Sequence, residues 1–298
     1  MLLPPPASFF ARRFNYEERS AVLLVLPVMV VLMGVAVFPI VHSLYTSFFD
    51  LKLTRPHRVP FVGFDNYVAV LARETFWAAV GRTAWFTLLS VSATSLVALL
   101  LNEVFRGRRF LAAMILAPWA IPTVANGLMW QWIYDSGYGV LNGVLYQLGL
   151  IDKYMVWLGD PRKTMALIVN AFVWKEVPLA AILLLVTMKS IPVDLYRAAK
   201  VDGANVVNRF FHVTAPSLRP GFLLVVIYEA MMAIRHFDLF FILTHGGPGD
   251  TSSVLAWQIY VETFRNLSFG TGSALAYVMA IATFGLAYFV IRMLGRRL

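Results

Sequence analysis

Residues 21–43 read AVLLVLPVMVVLMGVAVFPIVHS, twenty-three positions without one Asp, Glu, Lys or Arg. Wound as a helix, such a run is about 35 Å long, enough to cross the roughly 30 Å hydrocarbon core of a bilayer. Arg12, Arg13 and Arg19 stand before it, as they would before a secretory signal. The run is too long for a signal core, and no small-x-small cleavage pattern follows, so it reads as a retained first span.

Composition points the same way. Apolar residues make up 59% of the 298 and charged residues only 14%, against about a quarter charged in soluble domains. So few charges cannot cover a water-facing surface unless most of that surface meets lipid. Cysteine is absent, which excludes disulfides and Cys-based metal sites. The net charge of +9 fits basic loops on the cytoplasmic side of a membrane better than a nucleic-acid partner.

Five more runs have the length and apolarity of a span: Thr83 to Leu101, Phe110 to Tyr134, Thr164 to Met188, Gly221 to Thr244 and Leu267 to Ile291. The expected fold is therefore all-α, with six membrane helices, short interfacial helices and one cytoplasmic helical excursion. Barrel strands would instead alternate over about ten residues. Pro27, Pro39, Pro118, Pro122 and Pro178 should kink their helices. The expected organisation is a cytoplasmic segment 1–20 followed by one transmembrane domain, 21–298. With the N-terminus inside, inside segments hold 14 Lys and Arg and outside segments 8. The bias favours both termini in the cytoplasm.

On the outside, Leu44 to Gly81 carries Phe61, Phe64, Tyr67, Phe76 and Trp77, which suit a layer lying on the interface. Thr244 to Asn266 opens with the turn-former Gly246-Gly247-Pro248-Gly249, after which Val254 to Phe264 can form a short surface helix. On the inside, the longest loop runs from Lys189 to Arg219. Pro192 stops the preceding helix, and Asp194 can cap a new one starting at Leu195. Gly203 interrupts it, since glycine tolerates the left-handed conformation that turns a chain. A second short helix follows with Phe210 and Phe211, and Pro216 and Pro220 mark the return to the membrane.

That loop, at about 189–220, resembles the EAA loop of bacterial ABC-importer permeases. Ala198, Ala199, Asp202, Gly203, Ala204, Phe210 and Pro216 stand at the family's positions, while Arg197 replaces its usual glutamate. Phe61-Val62-Gly63-Phe64-Asp65-Asn66-Tyr67, Gly139-Val140-Leu141-Asn142 and Arg235-His236-Phe237-Asp238 extend the resemblance to the carbohydrate branch, the maltose-permease-like family. The resemblance implies a non-enzymatic subunit in the bacterial inner membrane that imports a sugar or sugar derivative by alternating access. It implies a second permease subunit, often making a heterodimer, two cytoplasmic ATPase subunits that bind ATP and Mg, and an extracytoplasmic sugar-binding protein. In agreement, this chain has no G-x-x-x-x-G-K-[ST] phosphate loop. It implies no cofactor or metal on this chain. For the loop it implies a coupling helix docked in the ATPase; the plain alternative is a structural turn.

Ionisable groups within spans are costly and mark function unless they merely pair with one another. Lys175 and Glu176, adjacent and so about 100° apart on a helix, need not pair with each other; they can line a pathway, or be structural, with Glu229 or Asp238 as the partners. Arg235 and Asp238, three apart, can share a helical face and pair. Trp174 is mid-span and can stack on a sugar, whereas Trp130, Trp132 and Tyr134 at a span end suit an interfacial belt. Asn126, Asn170 and Tyr228 can add hydrogen bonds. The competing function is a channel or secondary transporter working alone.

Overall fold

The computed structural model describes residues 16–101 and 117–295, and every described element is helical. The first apolar run forms α1 (Tyr16–Leu32), one wide π turn (Met33–Val37) and α2 (Phe38–Ser47). Pro39 has no N–H to donate to the carbonyl four residues back, and the wide turn just before it accommodates that lost bond. A second π turn, Phe210–Thr214, stands in the same relation to Pro216. From Val22 to Leu32 the first helix is apolar and exposed all round, as a lipid-facing helix requires; Leu24 is 79% exposed.

Two long helices form the centre. These are α4 (Glu74–Leu101), which follows the short α3 (Asp65–Leu71), and the later Pro161–Lys189. Between them lie α5 (Thr123–Ile133) and α6 (Val140–Gln147). Pro161–Lys189 is α7; its N-cap Asp160 accepts a hydrogen bond from the Arg162 N–H at 3.0 Å, and that bond holds the Asp160 carboxyl below the usual carboxylate range. Beyond α7 the chain forms α8 (Val193–Val201), α9 (Val206–Arg209), the π turn, α10 (Ala215–Ser217) and α11 (Arg219–Ile234). The remaining elements are α12 (Asp238–Leu243), α13 (Leu255–Tyr260) and α14 (Phe269–Gly295).

Four stretches among the described residues are long and apolar enough to cross a membrane: Ser20–Ser47, Glu74–Leu100, Pro161–Lys189 and Phe269–Arg292. A fifth exists only if Val206–Ser217 and Arg219–Ile234, bent by 66°, count as one. The expectation of six spans is thereby corrected: among the described residues there are four, or up to five, in an all-α multi-pass membrane fold. Two expected spans account for the difference. The run from Gly221 to Thr244 is not one helix, because α11 stops at Ile234 and the six-residue α12 begins afresh at Asp238. The run from Phe110 to Tyr134 lies partly outside the described residues. Its described part is broken at 121–122, and the eleven residues of α5 extend only about 16 Å.

The core is a three-helix junction of α4, α7 and α11. Gly221 lies against Thr187 so closely that a Cβ at 221 would collide with the threonine side chain, which sets the approach of α11 to α7. At the other end α14 packs on α2 and α3. There Asn66 ties α3 to the end of α2 by donating to the Ser47 and Phe49 carbonyls at 2.8 and 2.9 Å. Rings of Phe61, Phe64 and Trp77 are left exposed around this end, as an interfacial layer requires. Asn142, fully buried, fixes the loop after α5. Its amide donates to Asp135 and Met155 carbonyls, and its oxygen accepts from the Met155 N–H and the Trp157 indole.

Candidate functional site

The first candidate is the hairpin between α7 and α11. Pro192 ends α7's extension and serves as N-cap of α8, two residues earlier than the sequence suggested, so Asp194 lies in the first turn instead of capping it. Arg197 donates to the Asp194 carboxylate at 3.0 Å on the exposed face. Gly203 has φ +76°, the left-handed turn its residue type allows at little cost. Asn205 then caps α9 by accepting from the Asn208 N–H at 2.8 Å. The two arms are tied by the hydroxyls of Tyr196 and Thr214, 3.0 Å apart. Ala198, Ala199 and Ala204 keep the turn low, and Phe210 and Pro216 lie on its return arm. Nothing stands within 4 Å of a Cβ built on Gly203, and Val201 beside it is 88% exposed. The hairpin therefore has an open tip at which the apolar Val201 stands exposed between Lys200 and Asp202.

The second candidate lies inside the helical junction. One apolar cluster contains Phe86 of α4, Phe172 of α7 and Ala233 of α11. Another, further along the same three helices, contains Ala98, Ala180, Leu184 and Val225. Between the two clusters the helices carry Ser90 and Thr94, Glu176, and Glu229, all buried. A polar layer is thus sandwiched between two apolar layers, near the midpoints of α4 and α7. Lys175 stands 3.6 Å from Glu176. Both carboxylate oxygens of Glu229, one of Glu176 and the hydroxyls of Ser90 and Thr94 have no hydrogen-bonding partner among the described residues. Such a layer is costly in an apolar setting, which makes it a candidate site.

Around this layer the sequence candidates fall into two groups. Asn126, Asn170 and Trp174 come together at the contact of α5 with α7. The Asn126 amide donates to the Ala171 carbonyl at 3.3 Å, and the Asn170 amide donates to the Tyr134 hydroxyl at 2.9 Å. The Trp174 ring meets Trp130 edge-on at 6.0 Å, and Trp130 lies against Tyr134 at 5.2 Å. Trp130 and Tyr134 are therefore part of this interior contact. Tyr228, one position before Glu229, receives a hydrogen bond from Trp119. Arg235 and Asp238 are not paired. The helix ends at Ile234, so the spacing of three residues no longer brings 235 and 238 onto one face. The Arg235 guanidinium instead reaches the Met232 sulfur at 3.2 Å. His236, at the same break, packs edge-on against Phe172 at 5.0 Å and stacks near Phe86. The sequence expectations named Glu229 only as a pairing partner and His236 only within the stretch Arg235-His236-Phe237-Asp238; their signal was an ionisable residue inside a span, which both share with Glu176. No group of three or more His, Asp or Glu fit to hold a metal occurs among the described residues.

The comparisons with known proteins bear on the whole arrangement. The family described as binding-protein-dependent transport system inner membrane component matches residues 90–298, which include the hairpin and the polar layer. The chain belongs to this family. It is a membrane permease subunit of an ABC importer. The permease is 36% identical to the sulfoquinovosyl glycerol transport system permease protein of Agrobacterium fabrum, over 88% of this chain and 86% of that protein. It is 35% identical to the trehalose/maltose transport system permease protein of Thermococcus litoralis, over 91% and 93%. A diacetylchitobiose uptake system permease protein of Streptomyces coelicolor is 32% identical, over 91% and 85%. The permease's fold is that of a chain from a bacterial alginate ABC transporter solved in complex with an alginate pentasaccharide-bound periplasmic protein. The TM-score there is 0.78 at 21% identity, covering 93% of this chain and 94% of that one.

Proposed function

We propose that this permease imports a sugar or sugar derivative by alternating access, paired with a second permease subunit. Two ATPase subunits in the cytoplasm would drive it, and an extracytoplasmic binding protein would deliver the solute. The observation that carries the solute class is agreement among relatives. Three proteins 32–36% identical over most of their length are named for sulfoquinovosyl glycerol, trehalose/maltose and diacetylchitobiose, all glycosides or oligosaccharides.

The hairpin at 189–220 is the ATPase-docking element, with both chain termini on its side of the membrane. Ala198, Ala199, Asp202, Gly203 and Ala204 form its tip, Arg197 and Asp194 its flank, and Phe210 and Pro216 its return arm. Trp174 with Asn126 and Asn170, and Tyr228 with Arg235 and Asp238, border the pathway. Glu176 shapes it from the polar layer behind. A wall of indole rings and amides suits a solute with apolar C–H faces and hydroxyl edges.

The test is the solute itself. The cognate binding protein, purified without added sugar and denatured, should release a saccharide or glycoside on mass spectrometry. An amino acid, peptide or inorganic anion in its place would refute the sugar assignment.

A further inference from the structure

At the end of the molecule away from the hairpin, a cavity of about 510 Å³ lies between the start of α4 and the stretch from His245 to Arg265. These two walls are some 170 residues apart in sequence, yet four contacts fix one against the other. Arg73 pairs with Glu262. Arg82 donates to the Ser253 carbonyl at 3.0 Å, Gln258 to the Thr75 carbonyl at 3.0 Å, and the Leu255 N–H to the Thr83 hydroxyl at 3.0 Å. The rim is equally fixed. Gly246, at φ +83°, leaves no room for a Cβ against the Trp257 indole. The Ser252 hydroxyl, 2.7 Å from that of Thr244, also donates to the Gly247 carbonyl at 2.7 Å.

The cavity is lined by Arg73, Arg82 and Arg265 and by Glu74, Asp250 and Glu262, and these charges are unevenly paired. Glu262 is held by Arg73 and also accepts from Asn266 at 3.3 Å. Arg82 and Arg265 have no carboxylate partner among the described residues. Both are nonetheless held in place, Arg82 by the Ser253 carbonyl and Arg265 by its stacking over Trp257 at 5.0 Å. A guanidinium fixed in position without a counter-ion is prepared for a carboxylate, which it takes in bidentate fashion.

We propose that this cavity receives an acidic side chain from a loop of the extracytoplasmic binding protein, with Arg82 and Arg265 as its anchors. The proposal rests on the importer reading above, which puts this end outside and supplies the partner. It adds the place and the chemistry of docking. Because Arg82 also ties α4 to the stretch before α13, a carboxylate drawn to it acts on the contact that holds the two walls together. Docking would thereby reach α4, one of the three helices of the polar layer.

The experiment uses the complete transporter in lipid nanodiscs with its cognate binding protein. ATP hydrolysis is followed as binding protein is titrated, and complex yield and melting temperature are measured for each variant. Arg265→Ala should raise the half-saturating binding-protein concentration roughly tenfold, and Arg265→Glu more. Arg265→Lys should stay near wild type, and the salt dependence of docking should weaken in the Ala variant. Equal half-saturation for all three variants, in well-assembled complexes that the binding protein stimulates, would overturn the proposal while leaving the importer reading intact. Protection of the cavity by free sugar alone, with docking unchanged, would also overturn it. A wild-type complex that no binding protein stimulates would instead count against the importer reading itself.

Discussion

Lys175 and Glu176, neighbours in sequence, pair at 3.6 Å with both side chains largely buried. The pair uses the one lysine of the polar layer and leaves the Glu229 carboxylate beside it with no hydrogen-bonding partner among the described residues. Adjacent residues point about 100° apart on a helix, so the contact depends on the length and flexibility of the lysine side chain.

This arrangement gives opposite expectations for two substitutions. Lys175→Met strands a buried carboxylate and should cost about 3–5 kcal/mol. It should be seen as a lower melting temperature and yield of the purified complex. Glu229→Leu removes an unpartnered buried carboxylate and should leave the melting temperature unchanged or raised. Equal losses in the two variants would show that Glu229 holds the junction together as much as the pair does.

Gly203 should matter through its backbone. A Cβ there meets nothing within 4 Å, so size alone costs little in the free subunit. The left-handed conformation costs an ordinary L-residue roughly 1–2 kcal/mol, and Asn less. Gly203→Asn should therefore assemble with the ATPase nearly as well as wild type. Gly203→Leu should insert normally yet lose ATPase co-purification and uptake, since it adds bulk at the hairpin tip as well. Normal co-purification and uptake in the Leu variant would remove the docking role from the hairpin.

The hairpin was legible in the sequence and the membrane path was not, for a physical reason. A turn made by one glycine and closed by prolines is a local event, and Pro192, Gly203, Pro216 and Pro220 announce it. The break at Arg235–Phe237 contains neither glycine nor proline, and apolar residues resume at Leu239 after the single Asp238, so a window of about 20 residues reads through it as one span. The pairing expected of Arg235 with Asp238 failed for the same cause, because it presupposed an unbroken helix. The polar layer was half legible. Each ionisable residue stood out alone, but its register against Ser90 and Thr94 depends on how three helices pack. The outer cavity joins segments some 170 residues apart, and neither segment signals the other.

The side of the membrane on which each end lies can be read with single cysteines, since the chain has none. Asn205→Cys should react with an impermeant maleimide only from the cytoplasmic side, and Asp250→Cys only from outside. Asp250→Cys labelled from the cytoplasm would invert the orientation and with it the docking assignments at both ends.

Trp174 meets Trp130 at the contact of α5 with α7 and is only partly buried. Trp174→Ala should lower sugar uptake about tenfold or more at limiting solute while complex yield and basal ATP hydrolysis stay near wild type. Uptake unchanged at both limiting and saturating sugar would place the solute contacts elsewhere in the pathway.

Most directly, the account stands on the coupling of solute movement to ATP. Proteoliposomes containing the permease, its partner subunit and the ATPases should be given binding protein loaded with the radiolabelled form of the sugar it co-purifies with. The account predicts uptake that requires both binding protein and ATP on the hairpin side and that concentrates the sugar above the outside level. Uptake by this chain that merely equilibrates the sugar, unaffected by removing ATP or binding protein, would contradict it and identify a channel or secondary transporter instead.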